Sequence, residues 1–333
     1  GIQPDIIIGR CEQKLTDKIK NKISVFGGIE KNAVISGIDV DNVYKIPLAF
    51  EEEGICEIIH RKLRVYSPPD LTSWKELLNN INEPINEIII AICGKYTELN
   101  DSYASINEAL MHCSAHTKHK INLKFIETTD IENNKKTIAE VLENVSGVII
   151  PGGFGSRGTE GKIEVIKYCR ENNLPILGIC LGLHLMVVEF ARNLCNLENA
   201  NSTEINSLTP YPVIDIMPEQ KDIENKGATM RLGSYPAWLS EESLAKRLYQ
   251  KELVHERHRH RFEVNPNYHQ TLKENGLTIS GTSKDGRLIE FIELKNHHYF
   301  IATQAHPELK STLTEPAPLF LGLIKSAISK STL

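Results

Sequence analysis

Residues Ile88–Ile92 read IIIAI, an unbroken apolar run. A strand wet on one face would alternate apolar and polar residues, so this one is buried on both faces, as in a parallel sheet covered by helices. Similar short apolar runs follow, separated by helix-length stretches. Strands are read at Glu87–Ile92, Leu123–Ile126, Gly147–Ile150 and Leu174–Ile179. Helices are read at Tyr103–His116, Lys136–Leu142, Lys162–Glu171 and Leu183–Asn193. Such alternation predicts a doubly wound α/β sheet. After Ser202 the chain becomes β-rich, with turns at Asn265-Pro266 and Asp285-Gly286, a last strand His298–Gln304 and a closing helix Pro318–Ser329.

Upstream, residues 1–62 read as a separate α/β piece. Its strands are Asp5–Ile8 and Ala33–Ser36, and its helices Lys14–Ser24 and Val43–Glu53. The acidic run Glu51–Glu53 reads as a solvated helix end. Residues 63–85 form a Pro- and Asn-rich linker around one helix, Leu71–Ile81, with Asp70 or Thr72 as its cap and Trp74 as a packing anchor. Residues 86–330 form the main domain. A length of 333 residues suits one large domain and part of another.

The net charge of −5 gives no basic excess for a nucleic-acid partner. No apolar run approaches the ~18 residues of a membrane span, and no signal peptide is evident at the start. Seven cysteines with no CxxC pair fit free thiols in a reducing cytoplasm better than disulfides or zinc. His255, His258, His260 and the basic residues between them lack zinc-ligand spacing and read as a basic strand at a ligand or interdomain face.

Three motifs carry chemistry. Gly178-Ile179-Cys180-Leu181-Gly182 lies where a strand ends and a helix begins, the nucleophile-elbow pattern with cysteine in place of serine. Such a turn exposes the sulfur, and a helix N-terminus favours the thiolate. The Leu181 N–H then points where an oxyanion would form. The plain alternative is a buried cysteine in a tight turn. Gln304-Ala305-His306-Pro307-Glu308 supplies the second motif. Residues i and i+2 of an extended segment share a face, so His306 can meet a thiol while Glu308 holds the imidazole tautomer. The third is Pro151-Gly152-Gly153-Phe154-Gly155-Ser156-Arg157-Gly158, after a strand. It formally matches GxGxxG, but the next strand ends at Cys180 with no acidic residue for a ribose, and no P-loop occurs. The Gly153 N–H as a second oxyanion donor is the better reading.

PGGFGSRG, GICLGLH and AHPE in this order resemble the class I (triad) glutamine amidotransferases, with their flavodoxin-like doubly wound sheet. Within them, ENANSTE at Glu198–Glu204, TMRLG at Thr229–Gly233 and ERHRHRFEVN at Glu256–Asn265 are similar to the CTP synthase family. GIQPDIIIGR and AVISGIDVDNVYKIP resemble the end of that family's synthetase (amidoligase) domain. The resemblance implies a Cys180, His306, Glu308 triad, with oxyanion N–H groups from Gly153 and Leu181. It implies Glu204 and Arg261 on the α-amino and α-carboxylate groups of L-glutamine, and Phe154 lining the substrate channel. Arg10, Asp39 and Val40 would belong to an adenine pocket, and Arg157 would couple GTP activation to hydrolysis. No cofactor or metal is expected in the glutaminase domain; ATP, Mg and a GTP effector are expected for the intact enzyme, together with UTP and a homotetramer. His184 stands where the family usually has a substrate-touching Gln; it could donate a hydrogen bond and could titrate near neutral pH. The family's phosphate loop, magnesium ligands and UTP segments do not occur in these residues, so the chain reads as part of a longer protein. Rivals are another class I amidotransferase, a γ-glutamyl hydrolase, or a non-catalytic scaffold on the same fold.

Overall fold

The computed structural model describes residues 2–95, 100–217 and 230–331; Gly1 and Thr229 of the runs quoted above lie outside them. The chain divides into two compact units, Gly1–Asn82 and Glu83–Leu333.

In the first unit, β1 (Ile7–Cys11) pairs in parallel with β2 (Val34–Ile38). Helix α1 (Asp17–Gly27) is capped by Thr16 and stops at Gly28, whose φ of 63° suits glycine. Ala33, Ile35 and Ile58 form a small core with Phe50 and Ile55 packed on it. The expected helix Val43–Glu53 is a 3₁₀ turn followed by α2 (Ile46–Glu52). Gly54, at φ 79°, then lets the chain restart as α3 (Ile55–Leu63), which the sequence reading missed. Glu53 is not a solvated helix end: its carboxylate bonds Lys20 Nζ at 2.5 Å and the Ser36 N–H at 3.2 Å. Helix α4 (Thr72–Asn82) begins where Asp70 accepts from the Thr72 N–H, and the Trp74 indole N–H donates to the Tyr44 carbonyl.

Among the described residues, the second unit is built on a nine-stranded sheet. Its strands are β3 (Asn86–Gly94), β4 (His119–Glu127), β5 (Gly147–Ile150), β6 (Ile176–Ile179), β9 (Arg231–Leu239), β10 (Leu253–His260), β12 (Thr278–Thr282), β13 (Ile289–Glu293) and β14 (Phe300–Thr303). Their spatial order is β10-β9-β12-β13-β14-β6-β5-β3-β4. The stretch from β14 to β4 is parallel, and the β10 to β13 part is antiparallel. A smaller sheet orders β11 (Phe262–Val264), β8 (Pro212–Ile216) and β7 (Asn201–Ser202).

Every residue of β5, β6 and β14 is buried, as unbroken apolar runs require. Helices α5 (Ala104–Thr117) and α12 (Pro318–Ser331) contribute to one hydrophobic cluster; α8 (Thr159–Glu171) and α9 (Leu181–Asn193) contribute to the other. Three elements are short: α6 (Thr128–Glu132), α10 (Leu244–Tyr249) and α11 (His269–Glu274). The expected helix Lys136–Leu142 shrinks to one turn, α7 (Ile138–Val141), capped by Thr137. Among the described residues no helix is long and apolar enough to cross a membrane.

Strands β5, β6 and β14 are mutually parallel, so their carboxyl ends share one edge. The glycine-rich loop, Cys180 and His306 follow those three ends. Open α/β sheets bind ligands at this edge.

Candidate active site

Cys180 follows β6 directly and precedes the first turn of α9. Its backbone has φ 53° and ψ −103°, outside the regions open to L-residues at little cost. Such strain costs about 1–3 kcal/mol and persists only where surroundings fix it. Here the Cys180 N–H donates to the Thr303 carbonyl at 2.8 Å, tying the elbow to β14. The positive φ thus falls on the cysteine, not on its flanking glycines. Those are needed for space: a Cβ on Gly182 would sit 2.3 Å from the Ile150 carbonyl oxygen, and one on Gly178 would sit 2.5 Å from Met186 Sδ.

His306 lies beyond β14, its N–H bonded to the Arg257 carbonyl at 2.8 Å. Its Nδ1 meets Glu308 Oε1 at 2.7 Å. Burial disfavours the imidazolium, but hydrogen bonding and charge from Cys180 and Glu308 outweigh it and raise the pKa to about 10. The backbone of Gly152 fits against this pair. A Cβ there would stand 2.9 Å from His306 Cε1 and 3.5 Å from Cys180 Cβ.

Two cavities of about 320 Å³ each meet at Cys180. The first is lined by Gly153, Phe154, Leu181, His184, Glu204 and Arg261, among others. One basic and one acidic side chain thus border it. Arg261 has a buried Nε with no hydrogen-bond partner. Glu204 accepts from the Gly155 N–H at 3.4 Å, and burial raises its pKa against the help of that bond and of Lys95. A bound ammonium would favour its charged form. The second cavity opens on the His306 and Glu308 side, with Arg259 and Tyr103 in its wall. Gly153, Phe154 and Cys180 belong to both, and Phe154 is half exposed.

His184 is buried on α9, with Nε2 2.8 Å from Gln304 Oε1. Burial pushes its pKa down to about 4, so it does not titrate near neutral pH as the sequence had allowed. On β10, His258 and His260 are buried while His255, Arg257 and Arg259 are exposed. His258 lies 3.6 Å from Glu290, which shares Arg231 with Glu263. Among the described residues no group of three or more His, Cys, Asp or Glu could hold a metal ion. Arg157 is exposed and lines neither cavity. Arg10, Asp39 and Val40 lie in the first unit around one cavity of about 370 Å³, with Arg10 Nε on Asp39 Oδ1 at 2.9 Å.

Sequence reasoning missed two residues. Lys95 Nζ donates to the Phe154 carbonyl and holds the glycine-rich loop from below. Gln304 bridges His184 and Cys180. The strand ends at Thr303 and Pro307–Leu309 is a 3₁₀ turn, so His306 and Glu308 meet across a turn and not on the face of an extended segment as the sequence suggested.

A family model described as glutamine amidotransferase class-I matches residues 98–326, over half of the chain. The chain belongs to that family. A second model, CTP synthase N-terminus, matches residues 1–65. The CTP synthase of Methanocaldococcus jannaschii is 50% identical over 99% of this chain and 62% of its own length. That of Methanococcus maripaludis is 52% identical over 99% and 63%. The chain therefore spans less than two thirds of the length of these relatives. Among solved structures, the glutaminase domain of Trypanosoma brucei CTPS with bound acivicin matches with a TM-score of 0.68 and 33% identity, over 73% of this chain and 94% of that one. The class I amidotransferase fold expected from the motifs is thus the one observed, and among the amidotransferases the chain is similar to the CTP synthases.

Proposed function

We propose that this chain hydrolyses L-glutamine to glutamate and ammonia at Cys180. The observation that carries the reading is the strained cysteine facing the His306–Glu308 pair at the mouth of a cavity lined by Arg261 and Glu204. Arg261 takes the α-carboxylate and Glu204 the α-ammonium. The Cys180 thiolate attacks the amide carbon, and the oxyanion develops against the Gly153 and Leu181 N–H groups. Leu181 is the first residue of α9, whose N–H has no intrahelical partner. His306 gives its proton to the departing ammonia, and water then hydrolyses the thioester, with His306 as base.

The ammonia serves ATP-dependent amination of UTP to CTP in the whole protein, a cytoplasmic homotetramer using ATP with Mg and activated by GTP. Similarity to CTP synthases across both units supports this. The first unit's cavity suits an adenine: Ile38, Val40, Ile46 and Phe50 offer apolar faces, and Arg10 and Asp39 a polar rim. Arg157, on the surface of the glycine-rich loop, transmits GTP binding to the site.

The test is a glutaminase assay with and without GTP, on the wild type and Cys180→Ala. Turnover that GTP stimulates and the substitution abolishes is expected. Turnover retained by Cys180→Ala overturns the nucleophile. Glutamine turnover indifferent to GTP favours another amidotransferase.

A further inference from the structure

Gln304 is fully buried and has no role in the scheme above. Its amide lies between two residues that do. Nε2 donates to Cys180 Sγ at 4.0 Å, and Oε1 meets His184 Nε2 at 2.8 Å. We propose that Gln304 is a further catalytic residue, whose amide N–H holds the Cys180 thiolate, and that His184 is a positioning residue that keeps this amide the right way round. The proposal rests on the reading of Cys180 as nucleophile.

The orientation follows from donor and acceptor chemistry. A thiolate only accepts, so the Gln304 NH₂ must face it. Oε1 then faces His184 and needs an N–H there. Burial keeps His184 neutral at working pH, with a single ring proton. Two acceptors stand beside the ring, Gln304 Oε1 and, more weakly, the Phe262 carbonyl; Nδ1 makes no well-formed bond, so the proton sits on Nε2 and faces Gln304. The backbone is pinned as well. Gln304 N–H donates to the Glu290 carbonyl at 2.9 Å, and Ala305 N–H to Thr303 Oγ1 at 3.2 Å. These bonds fix the main chain from which the side chain departs, and the bond to His184 places its amide.

The sulfur needs such a donor. Arg259 carbonyl oxygen, on β10, lies 3.9 Å from Sγ. A carbonyl accepts from S–H and repels a thiolate, so it favours the unreactive form. Against it stand His306, backed by Glu308, and the Gln304 amide; His260, close behind His184, is kept neutral by burial. Gln304 and His306 reach the sulfur from the same strand end, two residues apart.

The experiment follows alkylation of Cys180 by iodoacetamide against pH in the whole chain without glutamine, read by peptide mass spectrometry. Gln304→Met keeps the side-chain length and deletes the donor. His184→Leu leaves the amide free to turn over, and His184→Gln restores an N–H toward Oε1. The alkylation midpoint of the wild type is the reference. In Gln304→Met and His184→Leu it should rise by about one unit, roughly tenfold less thiolate at a fixed pH below the midpoint. His184→Gln should return it to the wild-type value. Thermal melts identify folded variants, and either of the first two suffices. A midpoint that stays at the wild-type value in the folded variants overturns the proposal alone. Glutamine turnover retained by Cys180→Ala overturns the nucleophile reading, and the proposal with it.

Discussion

Gly152→Ala isolates the geometry of the reacting pair from its chemistry. Gly152 is not among the residues with positive φ, so alanine meets no backbone penalty there. The new methyl meets His306 Cε1 at 2.9 Å and Cys180 Cβ at 3.5 Å. Ordinary contact begins near 3.4 Å, so the ring must retreat by about 0.5 Å, against its 2.7 Å bond to Glu308. A misplacement of ~1 Å at a reacting centre can lower the rate about 10²-fold, so half of that predicts about tenfold. Tenfold is ~1.4 kcal/mol on the barrier. The loop borders two cavities, so global stability should change by no more than about 1 kcal/mol. Steady-state glutaminase kinetics and a denaturant melt give both numbers. A wild-type kcat in the folded variant would refute the close packing of loop and imidazole. A loss of activity matched by unfolding would refute the claim that the effect is local.

Arg261→Met removes a charge-assisted contact worth about 1.5–3 kcal/mol, so kcat/KM for glutamine should fall by roughly 10–150-fold, mostly through KM. An unchanged KM would remove Arg261 from the carboxylate. Glu308→Gln should lower the His306 pKa, which Cys180 and Glu308 together raise to about 10, read by NMR of the imidazole nitrogens; no change would mean Glu308 does not support the charge. Glu53 should make the first unit acid-sensitive. Burial opposes its ionisation, but Lys20 and Ser36 prevail and lower its pKa to about 2 from 4.5. Its contribution is full above the ordinary value and is lost as pH falls through about 2. Glu53→Gln should therefore flatten the acid limb of a circular-dichroism titration, and an unaltered limb would deny the ion pair that weight.

Much of this was legible in the sequence because apolar runs and glycine turns act locally. IIIAI and GVII are too short for helices and bounded by turn signals, so they read as buried strands, and a glycine-flanked cysteine between strand and helix reads as an elbow. What the sequence hid is set by neighbours in space. It read Cys180 as a turn residue but could not show that the cysteine itself carries the strained φ, which the bond to Thr303 enforces. It left His184 free to titrate, because burial on α9 and the bond to Gln304 arise from strands far away in the chain. It took Glu53 for surface, since Lys20 and Ser36 meet it only after folding. Lys95 has no motif at all; only the packing of β3 beneath the glycine-rich loop brings its amine to the Phe154 carbonyl.

The most direct measurement is acid quench of the enzyme turning over radiolabelled glutamine, followed by peptide mapping. The account predicts a glutamyl thioester on the peptide containing Cys180, formed and consumed at rates that support turnover and absent in Cys180→Ala. Turnover with no adduct on that peptide, or with the label on another residue, would contradict it.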